Sequence, residues 1–286
     1  MHLSTPTLDA EPTMPGLQIH AYASAQLVRA FACLGWRGRR VHEGVHQARK
    51  SMRRVRACLA LAGFAAAGEG KRIDRDLGRQ CRALSQLRDA QARIETIDRL
   101  IETHAPGDAA TLLRRVRRGA LQERSQQLQQ AAAADAGFAE QRAQLRTLAA
   151  RLDALPWATL SEAQLQDALQ HSLKRCRKAE ARALSDGDAE DWHRWRRRRR
   201  RLLQQHTALA ACAIGVADAI DPQRELAHYL GESQDLSVLF AHFGRGRALP
   251  ARDRKPLVEL LQHEIEHKQQ QIERWLDEHD SAASAR

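Results

Sequence analysis

The chain of 286 residues has few aromatic side chains, and this scarcity argues against one class of function. Phe, Trp and Tyr together make up 4% of the sequence. Proteins that bind single-stranded nucleic acid or RNA loops usually stack the bases on aromatic side chains. The composition therefore weakens the case for a binder of unpaired bases without excluding it.

The cysteines are few and scattered, which argues against a disulfide framework and a zinc site. They are odd in number and form no C-x-x-C pair: Cys33, Cys58, Cys81, Cys176 and Cys212. Free cysteines often act as small apolar residues in the interior of cytoplasmic proteins. We therefore predict five reduced core cysteines in a cytoplasmic protein with no metal site and no cofactor.

The sequence also lacks a long apolar run. Its most apolar stretch, ALAACAIGVADAI, is interrupted and is shorter than the roughly 20 residues that cross a bilayer. The N-terminus, MHLSTPTLDAEPTMPG, lacks the basic start and apolar run of a secretory signal. We therefore expect a soluble protein with no membrane partner.

Runs of β-branched residues are absent as well, whereas Ala, Leu, Arg, Gln and Glu dominate and the prolines lie at breaks in the pattern. This composition favours helices, so we predict an all-α protein. The predicted helices are Leu17–Gly35, Arg39–Phe64, Lys71–His104, Asp108–Ala133, Gly137–Leu155, Ser161–Leu184, Asp188–Ala219, Pro222–Phe243 and Arg252–Asp280. One domain is expected over 17–280, between disordered tails at 1–16 and 281–286.

An internal repeat is the most informative feature of the sequence. The segment VHQARKSMRRVR resembles WHRWRRRRRRLL and aligns His46 with His193. Further along, LSQLRDAQARI resembles LGESQDLSVLF at nearly the same offset and aligns Asp89 with Asp235. Two motifs in one order predict two similar helical halves. We place these halves at 17–136 and 161–280, with a connector at 137–160.

Each copy of the first motif places its basic residues on one face of a helix. Because each residue turns the helix by about 100°, the aligned positions fall within a sector of about 140°. The two basic faces comprise His46, Arg49, Lys50, Arg53 and Arg54 in the first half and His193, Arg196, Arg197, Arg200 and Arg201 in the second. Arg198, about 140° from His193, is predicted to point elsewhere.

The basic faces and the net charge of +11 both indicate a polyanionic partner, such as nucleic acid, an anionic membrane surface or a phosphate polymer. The simplest alternative is that each run of charge is a solvated helix face. Like charges at i,i+3 and i,i+4 destabilise a free helix, however, and here they recur at matched positions. Guanidinium groups also bind phosphate oxygens in a bidentate manner. The repeat therefore favours a binding function.

The spacing H-x-x-R-[KR]-x-x-[KR]-[KR], present twice with LRD and LGESQDLSVL downstream, resembles the CHAD family, the conserved histidine α-helical domain. The resemblance extends over about 17–280. It implies two four-helix bundles related by a pseudo-twofold axis, with basic helices lining a central cavity that binds inorganic polyphosphate. It also implies association with polyphosphate granules. We therefore expect non-catalytic binding of polyphosphate; the oligomeric state stays open.

The resemblance extends the expected binding site beyond the two basic faces. The family often has a basic run before the second motif, and SLKRCRKAEAR resembles it through Lys174, Arg175, Lys178 and Arg182. An aromatic residue and a glycine usual in that run are missing here. The matching first-half helix offers only Arg29, so any polyanion path is expected to be asymmetric.

The third predicted helix adds further charges on one face. These residues are spaced four, three and seven apart: Arg75, Arg79, Arg82 and Asp89. We include the three arginines in the expected polyphosphate site. Asp89 and Asp235 are predicted to be counter-charges that hold nearby arginines in place.

A nucleic-acid binder is the main alternative, because a protein that binds the phosphate backbone needs the same arginines. No helix-turn-helix, zinc-finger or RNA-recognition signature is present. The segment EIEHK also matches the E-x-E-x-K signature of triphosphate tunnel enzymes, which place it on a strand. Here a helical stretch turns Glu264 and Glu266 about 200° apart, so we expect no enzyme activity.

The two motif histidines have only arginines beside them, whereas a metal site needs at least three converging ligands. Neighbouring positive charge also disfavours the imidazolium form. We therefore predict that His46 and His193 are neutral hydrogen-bond donors to phosphate or protein.

Overall fold

The computed structural model describes residues 14–64, 67–215, 220–245 and 249–284, and in these ranges the protein is helical with no strand. The all-α prediction is confirmed. The helices are α1 (Pro15–Leu34), α2 (Val41–Leu61), α3 (Gly68–Ala83), α4 (Ser85–His104), α5 (Asp108–Ala134), α6 (Ala139–Asp153), α7 (Glu162–Asp186), α8 (Ala189–Ala211), α9 (Ile220–Arg245) and α10 (Ala251–Ser284). Most of the predicted tails, namely 1–13 and 285–286, lie outside the described residues.

Side-chain caps fix the starts of the two helices that form the second-half motif region. Ser161 precedes α7, and its hydroxyl accepts from the backbone N–H of Gln164, whose side chain accepts from the Ser161 backbone in return. Asp188 precedes α8 and accepts from the N–H groups of Glu190 and Asp191. Such caps satisfy the free N–H groups of a first helical turn. The basic motif therefore begins just after a well-defined helix start.

The single helix predicted over Lys71–His104 is wrong, because the chain turns at Leu84 and forms two helices, α3 and α4. Leu84 remains buried in the core at the turn. A last-turn carbonyl of α3, that of Cys81, accepts a hydrogen bond from the Arg49 guanidinium. Carbonyl groups at a helix end need such partners. Neither glycine nor proline marks this break, so tertiary contacts set it.

The predicted second-half helix to Ala219 is also too long, because α8 ends at Ala211. Ala213 has a φ of 53° and Gly215 a φ of 67°, both in the left-handed region. The N–H of Ile214 bonds back to the carbonyl of Leu209 at 3.0 Å, a pattern that closes helix C-termini. The last four residues of the prediction, 216–219, lie outside the described residues.

Apolar side chains form two clusters, and each cluster draws helices from both sequence halves. The larger one lies among α1, α2, α3, α6, α7 and α8, with parts of α9 and α10, and includes the fully buried Met52 and Trp195. The smaller one lies among α4, α5, α9 and α10. Within the larger cluster α2 packs against α8, so the two motif helices are held side by side.

Four of the five cysteines are buried and Cys212 is half-buried; all five are free thiols. This agrees with their predicted role as small core residues. Among the described helices, none is long and apolar enough to span a bilayer.

Close packing of α1 on α2 predicts the effect of an alanine at Gly44. A Cβ there would overlap the Cys33 carbonyl oxygen and lie 3.2 Å from the Trp36 Cβ. We expect Gly44→Ala to lower the free energy of unfolding by about 1–3 kcal/mol, as overpacking does. Gly119 in α5 is the control, since nothing lies within 4 Å of a Cβ there.

Gly119→Ala is expected to raise the free energy of unfolding by up to about 1 kcal/mol through helix propensity. Urea denaturation of both variants measures the difference. Equal stability of the two variants would contradict the close α1–α2 contact.

Candidate functional site

A cavity of about 450 Å³ lies where α2, α8, α9 and the turn between α3 and α4 meet. We call it the motif cavity, because aligned residues of both motifs line it. The aligned pairs in its wall are His46 and His193, Arg49 and Arg196, Arg53 and Arg200, and Asp89 and Asp235. Residues from distant parts of the sequence thus meet at one site, as the packing of α2 on α8 requires.

Among the four aligned arginines of the motif cavity, Arg53 and Arg200 form neither an ion pair nor a side-chain hydrogen bond with the described residues. The Nε of Arg53 is buried without a hydrogen-bond partner. Burial, together with the charges of Arg49, Arg196 and Arg88, lowers the pKa of Arg53 to about 10. Burial and the same kind of repulsion hold the pKa of Arg200 well below its ordinary value. The charge of Arg53 is among the causes that lower the pKa of Arg200, so the two guanidinium groups repel each other.

The other two aligned arginines have polar contacts inside the protein. Arg49 donates to the Cys81 carbonyl, and Arg196 Nη2 lies 3.8 Å from Asp235 Oδ1. Asp235 is also 3.9 Å from Arg99. Burial raises the pKa of Asp235, although these arginines oppose that effect. The Asp235 carboxylate thus lies beside arginines, which is the position expected of a counter-charge.

Asp89 lies in the same wall, and its charge acts on both Arg49 and Arg196. The two aspartates therefore face the arginines from opposite halves of the repeat. Their negative charges offset only part of the cavity's positive charge, since Arg53 and Arg200 have no such partner. A site of this kind favours a ligand with several negative charges.

The motif histidines line the cavity in a neutral form. Burial lowers the pKa of His46, and the nearby Arg88 and Arg53 lower it further against the charges of Glu43 and Glu95. Burial also lowers the pKa of His193, whose ring Nδ1 donates to the side-chain oxygen of Gln234. These shifts agree with the neutral state predicted for both rings. The Gln234 contact fixes the tautomer of His193, so its Nε2 is left for other partners.

The basic face predicted on α2 divides between two environments. Arg54 donates to the Gln26 side chain on α1 at 3.2 Å, and Lys50 lies near Arg54 and Arg29. Neither Lys50 nor Arg54 is in the wall of the motif cavity. Arg56 lies there instead, and it forms an ion pair with Asp74 at 2.8 Å. Its position three residues after a predicted ligand was the signal that the sequence analysis missed.

Further basic residues of the motif cavity escaped prediction because they lie outside the repeated motif. The wall also includes Arg88 and Arg93 from α4. Arg88 pairs with Glu95 at 2.9 Å and Arg93 with Glu123 at 2.6 Å. The segment LRD places Arg88 directly before Asp89, and this adjacency was the available signal for Arg88.

The three arginines predicted on the third helix do not converge. Arg82 lines the motif cavity, whereas Arg79 is exposed and pairs with Asp76 at 2.6 Å. Arg75 is exposed on α3. All three arginines precede the turn at Leu84, and only Arg82, the nearest to it, reaches the cavity. Helical spacing does not continue across the turn to Asp89.

On α7, one of the four expected basic residues lies at a cavity. Arg175 lines two depressions beside the motif cavity. Lys174 and Lys178 are exposed, and Arg182 is paired with Asp191 of α8 at 2.9 Å. Three of these residues therefore lie outside the described cavities.

A depression of about 400 Å³ adjoins the motif cavity, and four arginines line both of them: Arg53, Arg56, Arg197 and Arg200. A further depression of about 350 Å³ shares Arg175, Arg198 and Arg201 with the first. Arg198 is thus absent from the motif cavity, as predicted, but it does line both adjoining depressions. The sequence analysis did not predict that Arg198 lines these two depressions.

The segment EIEHK lies within α10, as the sequence predicts. Glu264 is hydrogen-bonded to His104 at 3.0 Å, and Lys268 contacts Glu232 at 2.9 Å. Glu266 accepts from Gln262 on the surface. Each charged group thus has its own partner within the bundle. Among the described residues no group of three His, Cys, Asp or Glu side chains converges as a metal site would.

Comparison with known proteins gives one family and two solved structures. The sequence pattern of the CHAD domain matches residues 21–244. PptA from Streptomyces chartreusis is 18% identical with a TM-score of 0.63, over 92% of this chain and 99% of that one. The CHAD domain from the plant Ricinus communis is 19% identical with a TM-score of 0.64, over 96% and 94%. No curated protein matches the chain. At these identities the structural likeness establishes the fold.

The lowered pKa values of His46 and His193 predict how stability depends on pH. The unfolded chain binds protons on both rings near pH 6.5, whereas the folded protein binds them only at lower pH. The free energy of unfolding should therefore fall as the pH decreases from about 7 to about 5. Urea denaturation of the ligand-free protein across this range measures the slope.

The control is the double variant His46→Gln, His193→Gln, which cannot gain these protons. Its free energy of unfolding should fall less steeply over the same pH range. Parallel pH dependences of the variant and the original protein would show that the two rings keep ordinary pKa values.

Proposed function

The chain belongs to the CHAD domain family, and from this premise we propose that it binds inorganic polyphosphate in the motif cavity without catalysing a reaction. We also propose that it associates with polyphosphate granules in the cytoplasm. The basic helices α2 and α8 supply the binding groups. The protein's role is to hold the polymer through charge-assisted hydrogen bonds.

One observation supports this proposal above the others, namely the burial of Arg53 and Arg200 without carboxylate partners among the described residues. Holding two like charges in a partly buried cavity costs free energy. A polyanion offsets this cost, because its phosphate oxygens accept from several guanidinium groups at once. The protein therefore carries an unfavourable interaction that a row of phosphates relieves.

The proposal includes the architecture that the repeat implies. We propose two similar halves about a pseudo-twofold axis that passes near the α2–α8 contact. The support is that four aligned pairs of residues line a single cavity. In this arrangement each half lines the cavity with a histidine, two arginines and an aspartate that acts as counter-charge, so the two ends of a phosphate chain find similar groups.

Nucleic acid is the rival ligand, and the wall of the motif cavity favours polyphosphate over it. Among the described lining residues there is no Phe, Tyr or Trp on which a base could stack. The arginines also line a recess between helices, where they converge, while a duplex requires charges spread over a surface that follows its backbone. A bare chain of phosphates fits a charged recess without bases or sugars to accommodate.

A binding series separates the two ligands. We expect long-chain polyphosphate to bind more tightly than tripolyphosphate, ATP, RNA or duplex DNA, measured by calorimetry at about 0.15 M salt, where distant charges are screened. Polyphosphate should also displace labelled DNA far more readily than DNA displaces polyphosphate. Equal affinity for ATP and long chains would indicate a nucleotide site, and easy displacement by DNA would favour the nucleic-acid alternative.

A charge reversal inside the motif cavity tests the site itself. Arg196→Glu removes one charge-assisted contact and adds repulsion, so it should weaken polyphosphate binding by about 2–4 kcal/mol. The matched control is Arg118→Glu on α5, an exposed residue outside the cavity walls. Both variants change the net charge equally.

The control should cost well under about 1 kcal/mol once salt screens long-range attraction. Calorimetric titration with long-chain polyphosphate compares the two variants. Equal losses in both would mean that the protein binds through its overall charge and that the motif cavity is not the site.

A further inference from the structure

Beside the motif cavity lies a basic surface that the repeated motif explains only in part, through Arg201. It consists of the two adjoining depressions, which together we call the side groove. The arginines found in the side groove but absent from the motif cavity are Arg175, Arg194, Arg198 and Arg201. Resting on the proposed function, we propose that the side groove is a second anion-binding subsite that takes the part of a polyphosphate chain extending beyond the motif cavity.

Shared walls make the side groove continuous with the motif cavity. Arg53 and Arg200 line both spaces, as do Arg56 and Arg197. The volumes of about 450, 400 and 350 Å³ are similar, so each of the three spaces can take a short piece of chain. A linear polyanion can therefore pass from one space to the next while its phosphates stay beside guanidinium groups. A compact anion such as tripolyphosphate does not need the second space.

Several side-groove arginines are left without carboxylate partners. Among the described residues, no Asp or Glu lies within 4 Å of the charged groups of Arg175, Arg198 and Arg201. Burial lowers the pKa of both Arg198 and Arg201, and mutual repulsion with Arg175 adds to the effect. The same imbalance thus recurs here as at Arg53 and Arg200. It again favours a ligand that brings several negative charges.

Two of the arginines that α8 contributes to the side groove have no basic counterpart on α2. The aligned positions of the two helices show this difference. Gln47 and Ser51 of α2 occupy the positions that Arg194 and Arg198 occupy in α8. Gln47 bonds to Glu43 within its own helix, and Ser51 is 1% exposed, so neither offers a charge to a ligand. The long arginine run of the second motif therefore extends the basic surface in one direction only. A bound chain should leave the motif cavity on the α7–α8 side.

The six consecutive arginines of α8 face different spaces. Arg196 faces the motif cavity, Arg197 and Arg200 face both spaces, and Arg198 and Arg201 face the side groove. Arg199 lies beside Cys176 of α7 and lines neither the motif cavity nor the side groove. Five of the six thus lie along one continuous path, and a motif that served the cavity alone would not need Arg198.

Chain-length dependence is the property that tests the side groove. The probes are tripolyphosphate and long-chain polyphosphate, titrated calorimetrically at about 0.15 M salt. Arg198→Glu should lower the affinity for long chains about tenfold, the effect of losing one charge-assisted hydrogen bond. Its affinity for tripolyphosphate should stay within about twofold of the original protein. Arg175→Glu, an exposed residue of the same groove, should behave likewise.

Two other variants complete the comparison. Arg196→Glu should weaken both ligands, because it acts in the motif cavity. Arg118→Glu should weaken neither, and it controls for the change in net charge. Retained tripolyphosphate binding also shows that Arg198→Glu and Arg175→Glu are folded.

The outcomes are distinct. Loss of long-chain affinity alone, in both groove variants, supports the second subsite. Equal loss for both ligands, or unchanged affinity for long chains, overturns it while the proposed function stands. If the original protein binds neither probe, the proposed function fails first and the subsite fails with it.

Discussion

The contact between α2 and α8 is the constraint on which the site depends, because it places two strongly basic helices side by side. Arg53 and Arg200 repel each other across this contact, and burial makes the repulsion stronger. The fold tolerates this because apolar residues on the opposite faces, among them Met52 and Trp195, are fully buried. Hydrophobic burial thus holds together two faces that electrostatics alone would separate. A ligand with several negative charges would offset this repulsion.

The acidic residues determine how much repulsion is stored. Asp235 contacts two arginines at nearly 4 Å, distances longer than those of a hydrogen-bonded ion pair. Arg56, by contrast, is held by Asp74 at 2.8 and 3.0 Å. A phosphate competes more easily for an arginine with a distant carboxylate than for one in a close bidentate pair. Arg196 is therefore better poised to bind a ligand than Arg56, although both lie in the same wall.

The sequence predicted the helical class, because that depends on composition and local spacing. It failed where tertiary contacts decide. The turn at Leu84 contains no glycine or proline, so the sequence predicted one continuous helix there. That prediction wrongly placed Arg75 and Arg79 on the same helix face as Asp89. The basic residues predicted on α2 spread over about 140° around the helix axis. A face this wide can meet two neighbours, and Arg54 at its edge contacts Gln26 of α1. Helical spacing determines the direction of a side chain from the helix axis, whereas the packing of neighbouring helices determines which groups it contacts.

The aligned residues of α2 and α8 differ more in their surroundings than in the cavity that they line. Four aligned pairs share the motif cavity, yet Arg198 is matched by a buried serine, Ser51. This difference follows from packing: the larger apolar cluster surrounds α2 with α1, α3 and α7 as well as α8, so α2 has little exposed surface to charge. Charge could therefore be added along α8 at a lower desolvation cost than along α2. The asymmetry of the basic surface thus has its origin in the unequal burial of two otherwise similar helices.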